Sequence, residues 1–334
     1  MDAPRILELS IGPGGHGQRV DAFVSKSAPV LSRNVVQAML AAGEITVDDR
    51  RVKASHKLRT GERVRVPVPP EPAKIPLVRD AVTFGVLFED EHVLAVDKPP
   101  GMTTQPRHRF EGGSLTNAVL TYLGMDGQKG PRIMHRLDRD TSGVVLVAKT
   151  DHAAWYIGRQ FNAKQIKKEY RALVHGHVAR ADDLVTMPIG PDPDRNSRHK
   201  VNVPGAKTAR TRIRRLGSYR DATGLAFSWL AMWPHTGRTH QLRIHATAIG
   251  HPMVSDEFYG IPRPPGCTLS RQALHAARIL FRHPADQREM AVESPVPADI
   301  ARELARLVPW VPDGPDPTGD DGRTPDGAHR DSEE

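Results

Sequence analysis

The stretch Pro131–Thr150, PRIMHRLDRDTSGVVLVAKT, sets a dense charge cluster directly against an apolar run. Two arginines, two aspartates and a histidine fall within His135–Asp140. Gly143 and the VVLVA after it predict a strand buried on both faces, entered through a turn at Thr-Ser-Gly. Charges at the mouth of a buried strand are costly to desolvate, so the cluster indicates a function of its own.

The two aspartates of this cluster have different interpretations. Asp140 directly precedes the turn, where its side chain is expected to cap backbone N–H groups. No local turn chemistry requires Asp138, which lies between Arg136 and Arg139. A carboxylate beside an arginine stays ionised, which suits a nucleophile or a general base. Asp138 is therefore the first candidate for a catalytic residue.

Motifs of several other enzyme classes are absent from the sequence. A pepsin-like protease needs two Asp-Thr-Gly or Asp-Ser-Gly copies, and a kinase loop needs aspartate where Leu137 stands. No glycine-rich nucleotide loop and no H-E-x-x-H zinc motif occurs. His240 and His245 lie in HQLRIH, which we interpret as a strand on which they alternate rather than as a pair of metal ligands. The single cysteine, Cys267, excludes a disulfide framework and a cysteine-built zinc site.

Basic residues exceed acidic ones in this 334-residue chain, and the excess is unevenly distributed. The formal net charge is +8, but residues 311–334 contribute −6, which leaves +14 on residues 1–310. A folded body this basic most often faces a polyanion, which favours nucleic acid as the partner. Neither a secretory signal nor an apolar run of membrane-spanning length occurs, so we expect a cytoplasmic protein that binds no membrane.

Composition divides the chain into four segments. Residues 1–68 form a small α/β unit, 69–80 a proline-rich linker and 81–310 one large domain. Residues 311–334 form an acidic tail rich in Pro, Gly and Asp, which we expect to be disordered.

Two short amphipathic helices and two strands are predicted before the linker. The first helix turns Val20, Phe23 and Val24 inward. The second helix begins at the N-cap Ser32 and ends at Gly43. Its predicted apolar face consists of Val35, Val36, Met39 and Leu40. The segments EITVDDRRV and GERVRVPV read as strands, and the exposed basic residues around them can face phosphates.

Residues 17–68 resemble the S4-like RNA-binding module. The match lies in Arg19-Val-Asp21, in the helix entry at Ser32-Arg33, and in Lys53 and the glycines that precede two of the strands. The turn Asp48-Asp49 departs from the Asn-Gly that the module usually has. The resemblance implies that Arg19, Arg33 and Lys53 contact RNA.

Four ordered motifs in the large domain resemble those of the RluA class of pseudouridine synthases. His-Arg-Leu-Asp-x-x-Thr-Ser-Gly stands complete at His135–Gly143, and Lys-x-Tyr-x-Ala-x-Val at Lys168–Val174. Gly-Arg-Thr-His-Gln-Leu-Arg-Ile-His is Gly237–His245, and Leu274–Pro284 looks like the family's closing strand. The resemblance covers nearly all of 81–300. It implies an α+β pseudouridine-synthase fold with a mixed, mainly antiparallel central sheet.

The resemblance implies isomerisation of uridine to pseudouridine within RNA, with no cofactor and no metal. By position, Asp138 is the catalytic aspartate, acting as nucleophile at C1′ or as base at the C2′ proton. Arg243 is expected to pair with Asp138 and Arg238 is the lesser candidate, with phosphate contact as the alternative for both. Tyr170 would stack on the uracil and help to remove the C5 proton. Arg136 would fill the gap that a flipped base leaves.

His135 is expected to form local hydrogen bonds. Together with Arg136 and Arg238, it is also among the expected RNA contacts of the large domain. Two other functions stay open: a non-catalytic RNA-binding or ribosome-assembly factor, and a sugar hydrolase with a second carboxylate opposite Asp138. Asp140 is a poor candidate for that carboxylate because it lies only two residues away on a turn. By analogy with relatives that carry such a module, we expect large-subunit ribosomal RNA rather than transfer RNA as substrate, and a monomer.

Overall fold

The computed structural model describes residues 5–28, 31, 33–68, 80–106, 112–125, 130–195 and 198–311. The chain divides into two units, Met1–Ile75 and Pro76–Glu334, and each has a hydrophobic core of its own. The predicted linker and the predicted tail fall almost wholly outside the described residues. Within the part described, none of the helices combines the length and the apolar character that a membrane span requires.

The first unit consists of two helices and a four-stranded antiparallel sheet. Its elements are β1 Arg5–Ser10, a 3-10 turn at Pro13–Gly15, α1 Val20–Ser27, α2 Arg33–Ala42, β2 Thr46–Val47, β3 Arg50–Arg51 and β4 Arg63–Val68. The strand order is β1-β4-β2-β3. Along β4, Val64 and Val66 are buried whereas Arg63 and Arg65 are exposed. The alternation in the sequence therefore turns one face of the sheet into the core that it shares with the helices.

The predicted helices, the β2–β3 ribbon and β4 are confirmed, whereas β1 was not predicted. Val35, expected on the inner face of α2, is 44% exposed. The predicted N-cap Ser32 lies outside the described residues. Asp48 and Asp49 both have a positive φ, 46° and 59°. These are the angles for which a two-residue hairpin turn usually takes Asn-Gly, so the departure in sequence preserves the turn.

The second unit, in its described residues, forms an eleven-stranded sheet, a two-stranded sheet and four helices. Its elements are β5 Gly85–Glu89, β6 Val93–Lys98, α3 Leu115–Tyr122, β7 Arg132–Ile133, β8 Ser142–Ala148, α4 Asp151–Asn162, β9 Lys167–His175, β10 Asp182–Val185, β11 Ile189–Pro191, β12 His199–Val201, β13 Thr211–Arg220, β14 Ala226–Pro234, α5 Gln241–Ala248, β15 Leu274–Arg282, β16 Glu289–Glu293, α6 Ala298–Ala305 and β17 Val308–Pro309. The smaller sheet consists of β11 and β12, and the main path of the larger sheet is β10-β13-β14-β9-β15-β8-β6-β5.

Among the strands described, β8 and β15 are the one parallel pair in this sheet. They meet through two residue pairs, Ser142 with His275 and Gly143 with Ala276. The other pairings are antiparallel. The predicted α+β fold with a mixed, mainly antiparallel sheet is thus confirmed.

The apolar run in β8 supplies two separate cores. Val145 and Val147 belong to one core and Val144 and Leu146 to the other, because successive side chains point to opposite faces of a strand. All seven residues of β8 are buried. The predicted strand with two buried faces is therefore confirmed.

Gly143 is required where β8 approaches β15. Its φ is +114°, and a Cβ atom there would meet the backbone of Ala276, with the nitrogen at 2.8 Å. Only a residue without a side chain fits this approach and this backbone angle.

The segment HQLRIH is helical, so its interpretation as a strand was wrong. His240 is the N-cap of α5, and His245 lies inside the helix. All six residues of Gln241–Ala246 are buried, which removes the one-sided apolar pattern that normally reveals a helix. Leu242 and Ile244, two residues apart, then imitate the alternation of a strand.

Candidate active site

Asp138 lies in the turn that leads into β8, and this turn is held on both sides. The backbone carbonyl of Asp138 accepts a hydrogen bond from the N–H of Thr141 at 3.1 Å. The hydroxyl of Thr104 donates to the Leu137 carbonyl at 2.8 Å and accepts from the Leu137 N–H at 3.0 Å. The side chain of Leu137 is buried in the core. The residue next to Asp138 is therefore fixed through both its backbone and its side chain.

Lys98 holds the other side of the turn. Its side chain is fully buried, and Nζ donates to the carbonyls of Pro99, Met102 and Arg139 at 2.8, 2.8 and 2.9 Å. Three carbonyl acceptors match the three protons of an ammonium group. Burial lowers the pKa of Lys98 to about 7, against the opposing effect of the Asp140 charge.

The carboxylate of Asp138 forms the expected ion pair with Arg243. Nη1 of Arg243 lies 3.1 Å from Oδ2 of Asp138. The same guanidinium makes two bonds of 2.7 Å to Asp256, from Nε and from Nη2. Although burial opposes its charge, these carboxylates raise the pKa of Arg243. The guanidinium is thus a fixed positive charge beside Asp138.

Asp256 was not among the residues selected from the sequence. Its side chain is buried, and its carboxylate also accepts from the N–H groups of Phe258 and Tyr259, both at 3.0 Å. Against the cost of burial, these bonds and Arg243 lower the pKa of Asp256. Asp256 therefore fixes the orientation of Arg243, and it lies outside the four motifs from which the site residues were selected.

Tyr170 lies on β9 beside the same carboxylate. Its side chain is almost completely buried and lines the cavity that Asp138 also lines. Burial, together with the negative charge of Asp138, raises the pKa of Tyr170. Its hydroxyl therefore stays protonated throughout the neutral pH range.

Asp138, Tyr170 and Arg243 line a cavity of about 510 Å³ whose charged lining side chains are mostly basic. Asp138 is the one acidic residue that lines it in the part of the chain described. The basic side chains around the cavity are those of Arg136, Arg139, Lys168, Arg238 and Arg243. A cavity with this lining suits an anionic ligand such as a phosphodiester.

The three residues of this unit that were predicted to contact RNA differ in their exposure and in their hydrogen bonds. Arg136 is exposed at the cavity. Nε of Arg238 donates to the Thr208 carbonyl at 3.0 Å. His135 accepts from the Leu146 N–H through Nε2 at 3.2 Å, and burial lowers its pKa to about 3. The local hydrogen bond expected of His135 is present, and its ring is neutral.

The carboxylate of Asp140 does not form the predicted turn cap. Within the described residues it accepts from the neighbouring Arg139 guanidinium, at 3.1 to 3.2 Å, instead of from a backbone N–H. The adjacent arginine competes successfully for the carboxylate because a charged donor is stronger than an amide. The backbone of Asp140 is therefore part of the turn between Asp138 and Thr141, whereas its side chain pairs with Arg139.

Arg19, Arg33 and Lys53 belong to the first unit. Both arginines pair with the buried carboxylate of Asp21, at 3.0 and 3.1 Å, while about half of each arginine side chain stays exposed. The amide of Gln37 also donates to Asp21 at 2.8 Å. Hydrogen bonds from Arg19 lower the pKa of Asp21, against the cost of burial. Lys53 is exposed.

Across the described ranges, no group of three or more His, Cys, Asp or Glu side chains is arranged to hold a metal ion.

Residues 92–248 match the family model for RNA pseudouridylate synthase, and residues 18–64 match the S4 domain. An uncharacterized RNA pseudouridine synthase of Bacillus subtilis, YlyB, is 34% identical over 305 residues, which cover 90% of this chain and 98% of the relative. Ribosomal large subunit pseudouridine synthase D of Nitrosomonas europaea is 35% identical over 309 residues, which cover 90% and 88%.

A solved structure supports the same assignment. The human RNA pseudouridylate synthase domain containing 1 superposes with a TM-score of 0.56 at 26% identity. The match covers 69% of this chain and 90% of the human chain. From the motifs around Asp138, the sheet that carries them and these relatives, the chain belongs to the RluA class of RNA pseudouridine synthases and carries an S4 domain.

Proposed function

We propose that the pocket around Asp138 converts a uridine of large-subunit ribosomal RNA into pseudouridine. The observation that carries this proposal is the carboxylate of Asp138, paired with Arg243 at 3.1 Å in a cavity whose other charged lining side chains, among the described residues, are basic. The choice of RNA is supported by the relative from Nitrosomonas europaea, which is named for the large ribosomal subunit.

The reaction needs one charged oxygen close to the ribose. The N1–C1′ bond breaks, the uracil turns, and C5 forms a bond with C1′. The hydrogen on C5 leaves as a proton and N1 gains one, so that atoms and electrons balance without a second substrate. Asp138 either attacks C1′ as a nucleophile or takes the C2′ proton as a base. Arg243 balances its charge in both cases, and Asp256 keeps Arg243 in place.

Tyr170 would support the uracil during its rotation. Because its pKa is raised, the phenol is a poor base at neutral pH. Its ring offers a flat apolar surface beside Asp138, which favours stacking on the base over removal of the C5 proton.

The remaining basic residues would hold the RNA. A uridine within a helix must leave the stack to reach Asp138, and the exposed Arg136 at the cavity would occupy the gap. Arg238 would contact a phosphate beside the cavity. In the first unit, Arg19, Arg33 and Lys53 would bind phosphates elsewhere on the same RNA.

We also propose that the protein acts as a monomer. A ribosomal RNA substrate would place the protein in the cytoplasm.

The test uses the hydrogen at C5, which must leave during the reaction. The protein is incubated with ribosomal and transfer RNA transcripts that carry tritium at C5 of uridine. The control is Asp138→Asn, which keeps the size of the side chain but removes its charge. We expect tritium release by the wild type alone, and only from large-subunit ribosomal RNA.

Release from transfer RNA instead would overturn the choice of substrate. Equal release by Asp138→Asn would mean that a different residue is catalytic. If no transcript releases tritium but all bind in a salt-dependent way, the protein is an RNA-binding factor without catalysis.

A further inference from the structure

His240 is an unusual residue to begin a helix. An N-cap is commonly Ser, Thr, Asp or Asn, whose side chain accepts from the first N–H groups of the helix. The side chain of His240 makes no such bond, and its backbone is left-handed, with φ 53° and ψ 23°. That conformation is uncommon outside glycine and is concentrated at functional sites. The imidazole lines the cavity that contains Asp138.

The contact with Tyr259 favours one tautomer of the His240 ring. The Tyr259 hydroxyl lies 2.9 Å from Nδ1 of His240 and accepts from the N–H of His199 at 3.2 Å. Among the residues described, Nδ1 is the acceptor within reach of the Tyr259 hydroxyl proton. Nδ1 therefore accepts, and the neutral ring carries its own proton on Nε2. The rings of Phe258 and Tyr259 meet the imidazole edge to face, at 5.8 and 5.5 Å, and hold its plane.

The charges around His240 leave it neutral. The groups that face it are the carboxylates of Asp138 and Asp256, the guanidinium of Arg243 and the imidazole of His199. Burial lowers the pKa of His240, and the attraction of Asp138 opposes this only in part. Nε2–H is accordingly a neutral donor at physiological pH.

This donor and Asp138 face each other across a gap. Nε2 lies 3.9 Å from Oδ1 of Asp138, which is too far for a direct hydrogen bond. The other oxygen of Asp138, Oδ2, is already engaged by Arg243. Two hydrogen bonds of about 2.8 Å that meet at one oxygen at roughly a right angle span such a gap. A single hydroxyl group therefore fits between Nε2 and Oδ1.

We propose that His240 donates its Nε2–H to the ribose 2′-hydroxyl of the target uridine, while that hydroxyl donates a hydrogen bond to Oδ1 of the charged Asp138. This rests on the proposed function, which sets C1′ of a ribose against Asp138. The 2′-hydroxyl is on the next carbon and is both donor and acceptor, which is how a site distinguishes RNA from DNA. His240 is then a specificity-determining residue that selects ribose over deoxyribose.

The test measures how the affinity for ribose depends on His240. The full chain carries Asp138→Asn, which keeps an oxygen acceptor while preventing turnover. Its affinities for a short oligouridine and for the matching oligodeoxyuridine are compared with those of the same chain that also carries His240→Phe. Phenylalanine keeps an aromatic ring against Phe258 and Tyr259 but donates no hydrogen bond.

With His240 present, we expect the ribose oligomer to bind about 10-fold more tightly, as one hydrogen bond supplies. His240→Phe reduces this preference to less than about 3-fold. Tyr259→Phe, which frees the imidazole to change its tautomer, gives an intermediate preference. Arg238→Ala weakens the binding of both oligomers by the same factor, because it acts on phosphate.

If His240→Phe weakens both oligomers equally, or neither, the inference is wrong. Thermal unfolding of each variant shows whether it is folded. The proposed isomerisation is tested separately by tritium release from the wild type. If the protein prefers ribose in a way that depends on His240 but releases no tritium, the proposed isomerisation is wrong. The contact between His240 and the 2′-hydroxyl is then still supported.

Discussion

At the scale of single residues, the site depends on how Arg243 divides its guanidinium between two carboxylates. Nε and Nη2 bind Asp256 in parallel, and Nη1 is left for Asp138. The planar fork of arginine makes this possible, because it presents donors in fixed directions. A lysine carries its charge at one point and cannot hold both partners at these distances.

Replacement of Arg243 by lysine therefore separates charge from geometry. We expect Arg243→Lys to lower the rate of tritium release about 100-fold, as displacement of a catalytic group by about 1 Å does. Arg238→Lys is the matched control, because it makes the same chemical change on the same cavity without touching Asp138, and it should retain most of the rate. Equal reductions in the two variants would contradict the role given to Arg243.

A buried lysine makes a second prediction at this scale. Burial lowers the pKa of Lys98 to about 7, whereas lysine in the unfolded chain keeps its ordinary, much higher value. Above this pH the unfolded chain binds more protons than the folded one, so the unfolding free energy rises with pH until the ordinary value is reached. Lys98→Met lacks this contribution.

We expect the unfolding free energy of the wild type to gain about 2 kcal/mol over that of Lys98→Met between about pH 7.5 and about pH 9.5. Urea unfolding of both proteins at the two pH values measures the difference, from which most other titrations cancel. Parallel pH dependences would show that the pKa of Lys98 is not lowered.

The sequence identified the residues that stand in motifs, but not the residues that hold these motif residues in position. Tyr170 and Arg243 were selected because the motifs place them, and Asp138 also because no local turn chemistry requires a carboxylate there. Lys98 was missed because its partners are backbone carbonyls, which have no signature in sequence. The tautomer of His240 depends on a tyrosine 19 positions away, which no local pattern indicates.

At the scale of helices and strands, the success of the prediction depended on the pattern of buried and exposed residues in each element. The strand β8 was predicted because a short apolar run whose residues pack into two cores is typical of a strand buried on both faces. Helix α5 was read as a strand because it is buried on every side. The first strand, β1, was not predicted, although the exposed residues Ile6 and Glu8 alternate along it with partly buried neighbours. An isolated alternation near a chain end has no partner in sequence to support it.

The junction between β8 and β15 predicts a large effect of one methyl group. Gly143→Ala places a Cβ against the backbone of Ala276 and forces alanine to a φ of +114°. We expect the unfolding free energy to fall by about 3 kcal/mol or more. Gly85→Ala, in β5, is the matched control, because its Cβ would lie 3.6 Å from that of Asp97, an ordinary contact.

Urea unfolding of the two alanine variants checks this prediction, and Gly85→Ala should stay within about 1 kcal/mol of the wild type. If Gly143→Ala is equally mild, β8 and β15 can separate without cost, and the account of their close approach is wrong.

At the scale of the whole molecule, two units with separate cores suggest separate tasks. The core of the first unit includes Val20, Val36 and Val64 and that of the second unit Val145 and Leu230, with no member in common. Each unit thus has the hydrophobic contacts that independent folding requires.

A chain of residues 76–334 is therefore expected to fold and to release tritium from a short RNA that contains the target. Its affinity for full ribosomal RNA should fall about 10-fold or more. The slope of log affinity against log salt should become less steep, by about 0.7 to 0.9 for each phosphate that the shortened chain no longer neutralises. Fluorescence anisotropy at several salt concentrations measures both quantities. An unchanged slope would mean that the first unit neutralises no phosphates.

The parallel meeting of β8 and β15 also sets the order in which the enzyme becomes competent during its own synthesis. Ser142 and His275 are 133 positions apart, so the two parts of the sheet can form locally long before they join. The turn with Asp138 belongs to one part, and Arg243 lies 105 positions further on, just before the strand that joins them. A nascent chain is accordingly expected to form much of its secondary structure while the carboxylate of Asp138 still lacks Arg243. We therefore expect isomerase activity to appear only after β15 has left the ribosome.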